Sequence, residues 1–115
     1  MSELNRLRDR LRDFAAERDW DQFHSPKNLA MALSAEAGEL VENFQWLTEE
    51  QSRTPAPETL AAAGEEIADV LLYLVRLADK LGIDPVAAAD AKLVANARKY
   101  PAEKARGNAR KYTDL

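Results

Sequence analysis

The sequence predicts an all-α fold, a bundle of four helices followed by a basic tail. Apolar residues recur at helical spacing in four segments, and no segment alternates apolar and polar residues as a half-buried strand does. The 5 prolines fall at or near points where helices should begin or end, and Gly82 falls at a helix end. At 115 residues the chain is expected to form a single domain, residues 1–115.

The first helix is carried by Leu4, Leu7, Leu11, Phe14 and Ala15, with Arg6, Arg8, Arg10 and Arg12 as its solvated face. A linker from Trp20 to His24 follows. Ser25-Pro26 then supplies a cap and a proline at the first helical position. The second helix should run from Pro26 to about Leu47, with Leu29, Leu33, Ala37, Leu40, Phe44 and Leu47 on its apolar face. Thr48 to Pro57 is polar, holds two prolines, and reads as a loop. A third helix is expected from about Glu58 to Leu81, with Leu60, Gly64, Ile67, Leu71, Leu74 and Leu81 along one line. Gly82 can close it in the left-handed conformation. Asp84-Pro85 opens the fourth helix and Tyr100-Pro101 ends it.

Charge and composition narrow the function. The net charge of −4 argues against generic binding of a nucleic-acid polymer. That total hides an asymmetry: residues 92–115 carry seven cations and two anions, and the preceding residues carry the acidic excess. An acidic body with a basic end is compatible with metal ions held by the first and phosphates by the second. No apolar run approaches the roughly 20 residues that cross a bilayer, so no membrane is expected as a partner. The first residues lack an apolar stretch of signal-peptide type, and there is no cysteine; both fit a cytoplasmic protein.

The chemistry lies in two acidic pairs, Glu36-Ala37-Gly38-Glu39 and Glu66-Ile67-Ala68-Asp69. Residues three apart share a helical face, so each pair presents two carboxylates side by side. Small neighbours (Ala35, Ala37, Gly38, Ala62, Ala63, Gly64, Ala68) would let the two helices approach closely around them. Four such carboxylates converging without cysteine or histidine favour Mg²⁺, or Mn²⁺ in its place, over zinc. Spacing alone does not separate Glu42 and Glu65 from the four. A di-iron carboxylate bundle would need Glu-x-x-His motifs, and His24 is not in one. The opposing reading is a non-catalytic helical interaction module whose acids form a surface patch.

These residues resemble a known family, the all-α nucleotide pyrophosphohydrolases of the MazG-like superfamily. Its signature is Glu-x-x-Glu, a variable gap, then Glu-x-x-Asp, and here 26 residues separate Glu39 from Glu66. The strings FAAERDWDQFHSPKNLAMAL, GELVENFQW, EEIADVLLYLV, ARKYP and RKYTDL are similar to the dCTP pyrophosphatase branch and cover most of the chain from Phe14 to Leu115. The resemblance implies a four-helix bundle that hydrolyses a deoxynucleoside triphosphate, with dCTP or modified dCTP preferred, to its monophosphate and pyrophosphate. It implies clearance of unwanted nucleotides, a Mg²⁺ requirement, and a homotetramer or homodimer. Carried over by position, Glu36, Glu39, Glu66 and Asp69 are the metal ligands. One of these acids, or a nearby carboxylate, would take the proton of the attacking water, and Glu39 is the favoured one. Trp20, His24, Trp46 and Tyr73 line the nucleotide pocket, and Lys92 and Asn96 face the substrate. The branch can offer a histidine near the nucleotide where this chain has Leu11, which predicts moderate rather than strict cytosine selectivity.

Overall fold

The computed structural model describes residues 2–115 and builds them into six α-helices, with no strand among the described residues. They are α1 (Glu3–Glu17), α2 (Pro26–Glu42), α3 (Glu49–Arg53), α4 (Pro57–Leu81), α5 (Pro85–Lys99) and α6 (Ala102–Ala105). Four are substantial, and the all-α class holds. No helix among the described residues is long and apolar enough to cross a membrane. The chain divides into two compact units, Met1–Gly82 and Ile83–Leu115.

Caps set the helix boundaries. The Ser2 hydroxyl accepts from the Asn5 amide at 3.1 Å and the Ser25 hydroxyl from the Asn28 amide at 3.2 Å. Asp84 accepts from the amides of Val86 and Ala87. Proline opens α2, α4 and α5, and Gly82 closes α4 at φ 67. The end of α1 is less usual. Asp19 takes the left-handed position (φ 53) that glycine commonly fills, and the Trp20 amide donates back to the Ala15 carbonyl at 2.9 Å. That turn folds the Trp20 ring edge-on against Phe14, with centroids 5.7 Å apart.

In the first unit α4 is the central element, packed along α2 and against α1. Its core is small: Ala15 from α1, Leu29 from α2, and Ala63, Val75 and Ala78 from α4. In the second unit, Tyr112 turns back on the end of α5. Its ring meets Tyr100 edge-on at 6.1 Å and lies under the Lys99 ammonium at 4.9 Å.

The structure departs from the sequence expectation in four places. Helix α2 stops at Glu42 instead of about Leu47, because the Asn43 side-chain amide donates to the carbonyls of Glu39 and Leu40 and closes the helix early. The expected loop contains α3, nucleated by a capping box in which Thr48 and Gln51 satisfy each other's backbone amides. Gly38 and Gly64 do not mediate a close approach, since a side chain at either would meet nothing within 4 Å. Finally, the leucine line of α4 does not face the core. Leu60 is 62% exposed, Ile67 56% and Leu74 43%, while Ala63, Val75 and Ala78 point inward.

Candidate active site

The inward face of α4 carries the acids toward α2. Glu36, Glu39 and Glu66 each place a carboxylate oxygen within 4.8 Å of the others. Glu36 and Glu66 are half-buried and Glu39 is exposed, so the cluster opens to solvent on one side. One oxygen of Glu36 and one of Glu66 are shut off from solvent and accept no hydrogen bond. Buried oxygens of this kind are costly unless a proton or cation sits between them. The electrostatics agree. Glu36 is pushed from its ordinary 4.5 up to about 7, first by the facing carboxylate of Glu39, then by burial and by Glu66. Glu66 is also raised, chiefly by burial and then by the charges of Glu39 and Asp69, while Glu36 opposes the shift.

Three carboxylate donors, two of them with a buried and unpartnered oxygen, fit a hard divalent cation such as Mg²⁺ or Mn²⁺. Asp69 stands outside that set of three but raises the carboxyls of both Glu36 and Glu66 through its charge. Glu42 and Glu65, which spacing could not separate from the others, are exposed and outside the cluster.

Asp69 lines a cavity of about 150 Å³ in the same unit. Its aromatic wall is Phe14, Trp20, His24 and Tyr73, and Leu11 and Leu72 supply the aliphatic wall. The cavity is open to solvent on one side and has room for a six-membered ring. Three of the sequence-predicted pocket residues, Trp20, His24 and Tyr73, therefore meet beside Asp69. Trp46 does not line this cavity; it sits in the turn after α2, 85% exposed. Lys92 and Asn96 stand in α5, in the second unit, with Lys92 exposed and Asn96 half-buried.

The cavity's last wall residue, Arg76, was missed by sequence reasoning. It is only 6% exposed and donates to His24 Nδ1 at 3.1 Å and to Asp21 at 2.8 Å. Asp79 lies 3.6 Å from the same guanidinium and is gripped bidentately by Arg12, at 2.5 and 2.7 Å. Lys80 completes the network on Asp21. Arg12 holds the Asp79 carboxyl below its ordinary value, and Lys80 does the same for Asp21. The available signal was an arginine inside the apolar run VLLYLVRLAD, which a solvated face would not explain.

Comparison with known proteins now decides the family. The MazG-like family profile matches residues 31–115, most of the chain and all four acids. This chain belongs to the MazG-like family. Among its relatives are dCTP pyrophosphatase 1 from Bos taurus and from Homo sapiens, each 50% identical over 105 residues. The matched region is 90% of this MazG-like chain, which spans 62% of the length of those relatives. A crystal structure of a pyrophosphatase from Archaeoglobus fulgidus DSM 4304 is similar in fold, with a TM-score of 0.79 and 41% identity. That match covers 88% of this chain and 94% of the other. The MazG-like fold is therefore common to the chain and a solved pyrophosphatase.

Proposed function

We propose that this MazG-like protein is a Mg²⁺-dependent nucleoside triphosphate pyrophosphohydrolase of the cytoplasm. It converts a deoxynucleoside triphosphate, dCTP or a modified dCTP, to the monophosphate and pyrophosphate, and so clears unwanted nucleotides. The observation that carries this reading is the cluster of Glu36, Glu39 and Glu66 with two buried, unpartnered oxygens. The pyrophosphatase names of its relatives support it.

Hydrolysis requires water to attack the α-phosphorus while the bond to the bridging oxygen breaks and pyrophosphate leaves. Catalysis of such transfers is largely positioning and neutralisation of charge. Glu36, Glu39 and Glu66 would hold the cation, with Asp69 completing the ligand set. The cation would supply positive charge to the phosphates and acidify water. Glu39, the exposed member of the cluster, is assigned the proton of the attacking water. Trp20, Tyr73 and His24 take the base in this cavity, where stacking contributes about 1–3 kcal/mol per base. Trp46, Lys92 and Asn96 are assigned to the substrate on the family resemblance alone.

The working form is a homo-oligomer, a tetramer or a dimer. Leu60, Ile67, Leu74 and Leu81 recur every seven residues along α4, and each is more than 40% exposed. A seven-residue apolar repeat is the seam by which one helix packs against another. A second copy offers the same stripe in a symmetric contact.

The deciding experiment measures pyrophosphate release from all common ribo- and deoxynucleoside triphosphates with Mg²⁺. Turnover of dCTP ahead of the purine triphosphates is expected. No release from any of them would leave the non-catalytic helical module as the reading.

A further inference from the structure

The proposed chemistry leaves one buried group without a task. Arg76 is the only buried charged side chain among the described residues, and each of its three guanidinium nitrogens faces a partner. Asp21 and Asp79 hold its terminal nitrogens, and those carboxylates are in turn held by Lys80 and Arg12. Its third nitrogen, Nε, donates to His24 Nδ1 at 3.1 Å.

That bond has a chemical consequence. An arginine can only donate, so the Nδ1 atom it meets must carry a lone pair rather than a proton. A neutral imidazole has one N–H, which must then lie on Nε2. The ring lines the cavity beside Asp69, and with Nδ1 occupied, Nε2 is its one free polar atom. Neutrality is favoured too: burial, followed by the charges of Arg76 and Lys80, lowers the His24 pKa.

We propose that Arg76 is a positioning residue: it locks His24 as the Nε2–H tautomer, so that the cavity presents a fixed hydrogen-bond donor to a ring carbonyl of a single-ring base. The proposal rests on the reading that this cavity receives the base. A fixed donor selects bases by acceptor position, because a base without an acceptor there leaves a buried N–H unpaired. It also supplies a polar contact where Leu11 has none to give. Cytosine, uracil and thymine all carry a ring carbonyl, so the device selects by acceptor position among the bases the cavity admits.

The test uses the fact that the chain has one histidine. Long-range ¹H–¹⁵N correlation spectra of the full chain, without metal or nucleotide at pH 8, read its tautomer directly. The expected result is a pyridine-type Nδ1 and a pyrrole-type Nε2. A dominant Nδ1–H form, or a mixture like that of free imidazole, overturns the proposal and needs no variant. Adding dCMP should shift the Nε2–H proton downfield; a resonance unmoved at saturation removes the donor role. In Arg76→Lys, which keeps the charge but loses the planar fork, KM for dCTP should rise about five- to tenfold with a smaller change in kcat. Wild-type KM together with a wild-type tautomer in Arg76→Lys overturns the positioning role. If the wild-type protein hydrolyses no triphosphate, the functional reading fails, while the tautomer spectrum still decides whether Arg76 sets His24.

Discussion

Cation binding at the acidic cluster should be linked to proton release, with Mg²⁺ affinity rising about tenfold between pH 6 and pH 8. A carboxylate must lose its proton before it can ligate a metal. With Glu36 raised to about 7, about one molecule in eleven has it ionised at pH 6 and about ten in eleven at pH 8. The ratio of those populations gives the factor. The groups responsible face it from both helices: Glu39 on α2, and Glu66 and Asp69 on α4. Glu66 is raised as well, so its contribution adds in the same direction.

Isothermal titration with MgCl₂ at the two pH values, at one ionic strength and in buffers of different ionisation heat, measures both quantities. About one proton should be released per ion at pH 6 and few at pH 8. Glu36→Gln should bind more weakly and show a smaller pH dependence, with the part due to Glu66 remaining. Equal wild-type affinities at pH 6 and pH 8 would refute the reasoning, because the three carboxylates would then not share one ion.

Four other outcomes follow from the same geometry. In the absence of divalent ions, Glu36 has a folded-state value above its ordinary 4.5, so its stabilising contribution is complete below 4.5 and disappears as pH rises through about 7. The melting temperature of wild type relative to Glu36→Gln, followed in EDTA, should therefore fall from pH 5 to pH 8; His24, whose lowered pKa acts in the opposite sense, cancels in that comparison. Glu39→Gln should lower kcat by about 100-fold or more without lowering the circular-dichroism melting temperature, and retained turnover would assign the proton to another acid. Ile67→Lys should place a charge in the α4 stripe and shift the mass seen by light scattering toward the monomer. The values of kcat/KM should favour dCTP over dATP and dGTP, with dUTP and dTTP in between; parity of purines and pyrimidines would count against this cavity as the base site.

Much of this architecture was legible because it depends on local rules. Ser25-Pro26, Asp84-Pro85 and Gly82 mark helix ends through backbone groups within a few residues, and all three behave as those rules require. The two acidic pairs were legible for a similar reason, as helical spacing puts Glu36 beside Glu39 whatever surrounds them. What covers a face was not legible. Periodicity placed Leu60, Ile67, Leu74 and Leu81 on one line, but each of them is more than 40% exposed, while Ala63, Val75 and Ala78 of the same helix are the buried ones. The Arg76 network escaped for the same reason: His24 and Asp21 lie more than 50 residues away in sequence, so no local pattern links them.

Helix α4 treats its acids in two opposite ways, and the contrast separates a candidate site from a structural element. Asp79 is given cations: Arg12 grips both its oxygens, Arg76 flanks it, and its carboxyl is held in the ionised form. Glu66, on the same helix, meets other acids and burial instead, and its carboxyl is driven upward. Counting acids in the sequence cannot tell these cases apart, since both residues lie on one continuous amphipathic helix. The difference is in what the fold supplies. An acid with a cation provided by the chain has its charge neutralised and its position fixed, which ties α1 to α4. Acids left facing each other with buried, unpartnered oxygens are a standing cost to the fold. The chain could remove that cost by a single Glu→Gln change, so its presence argues that the missing positive charge comes from outside.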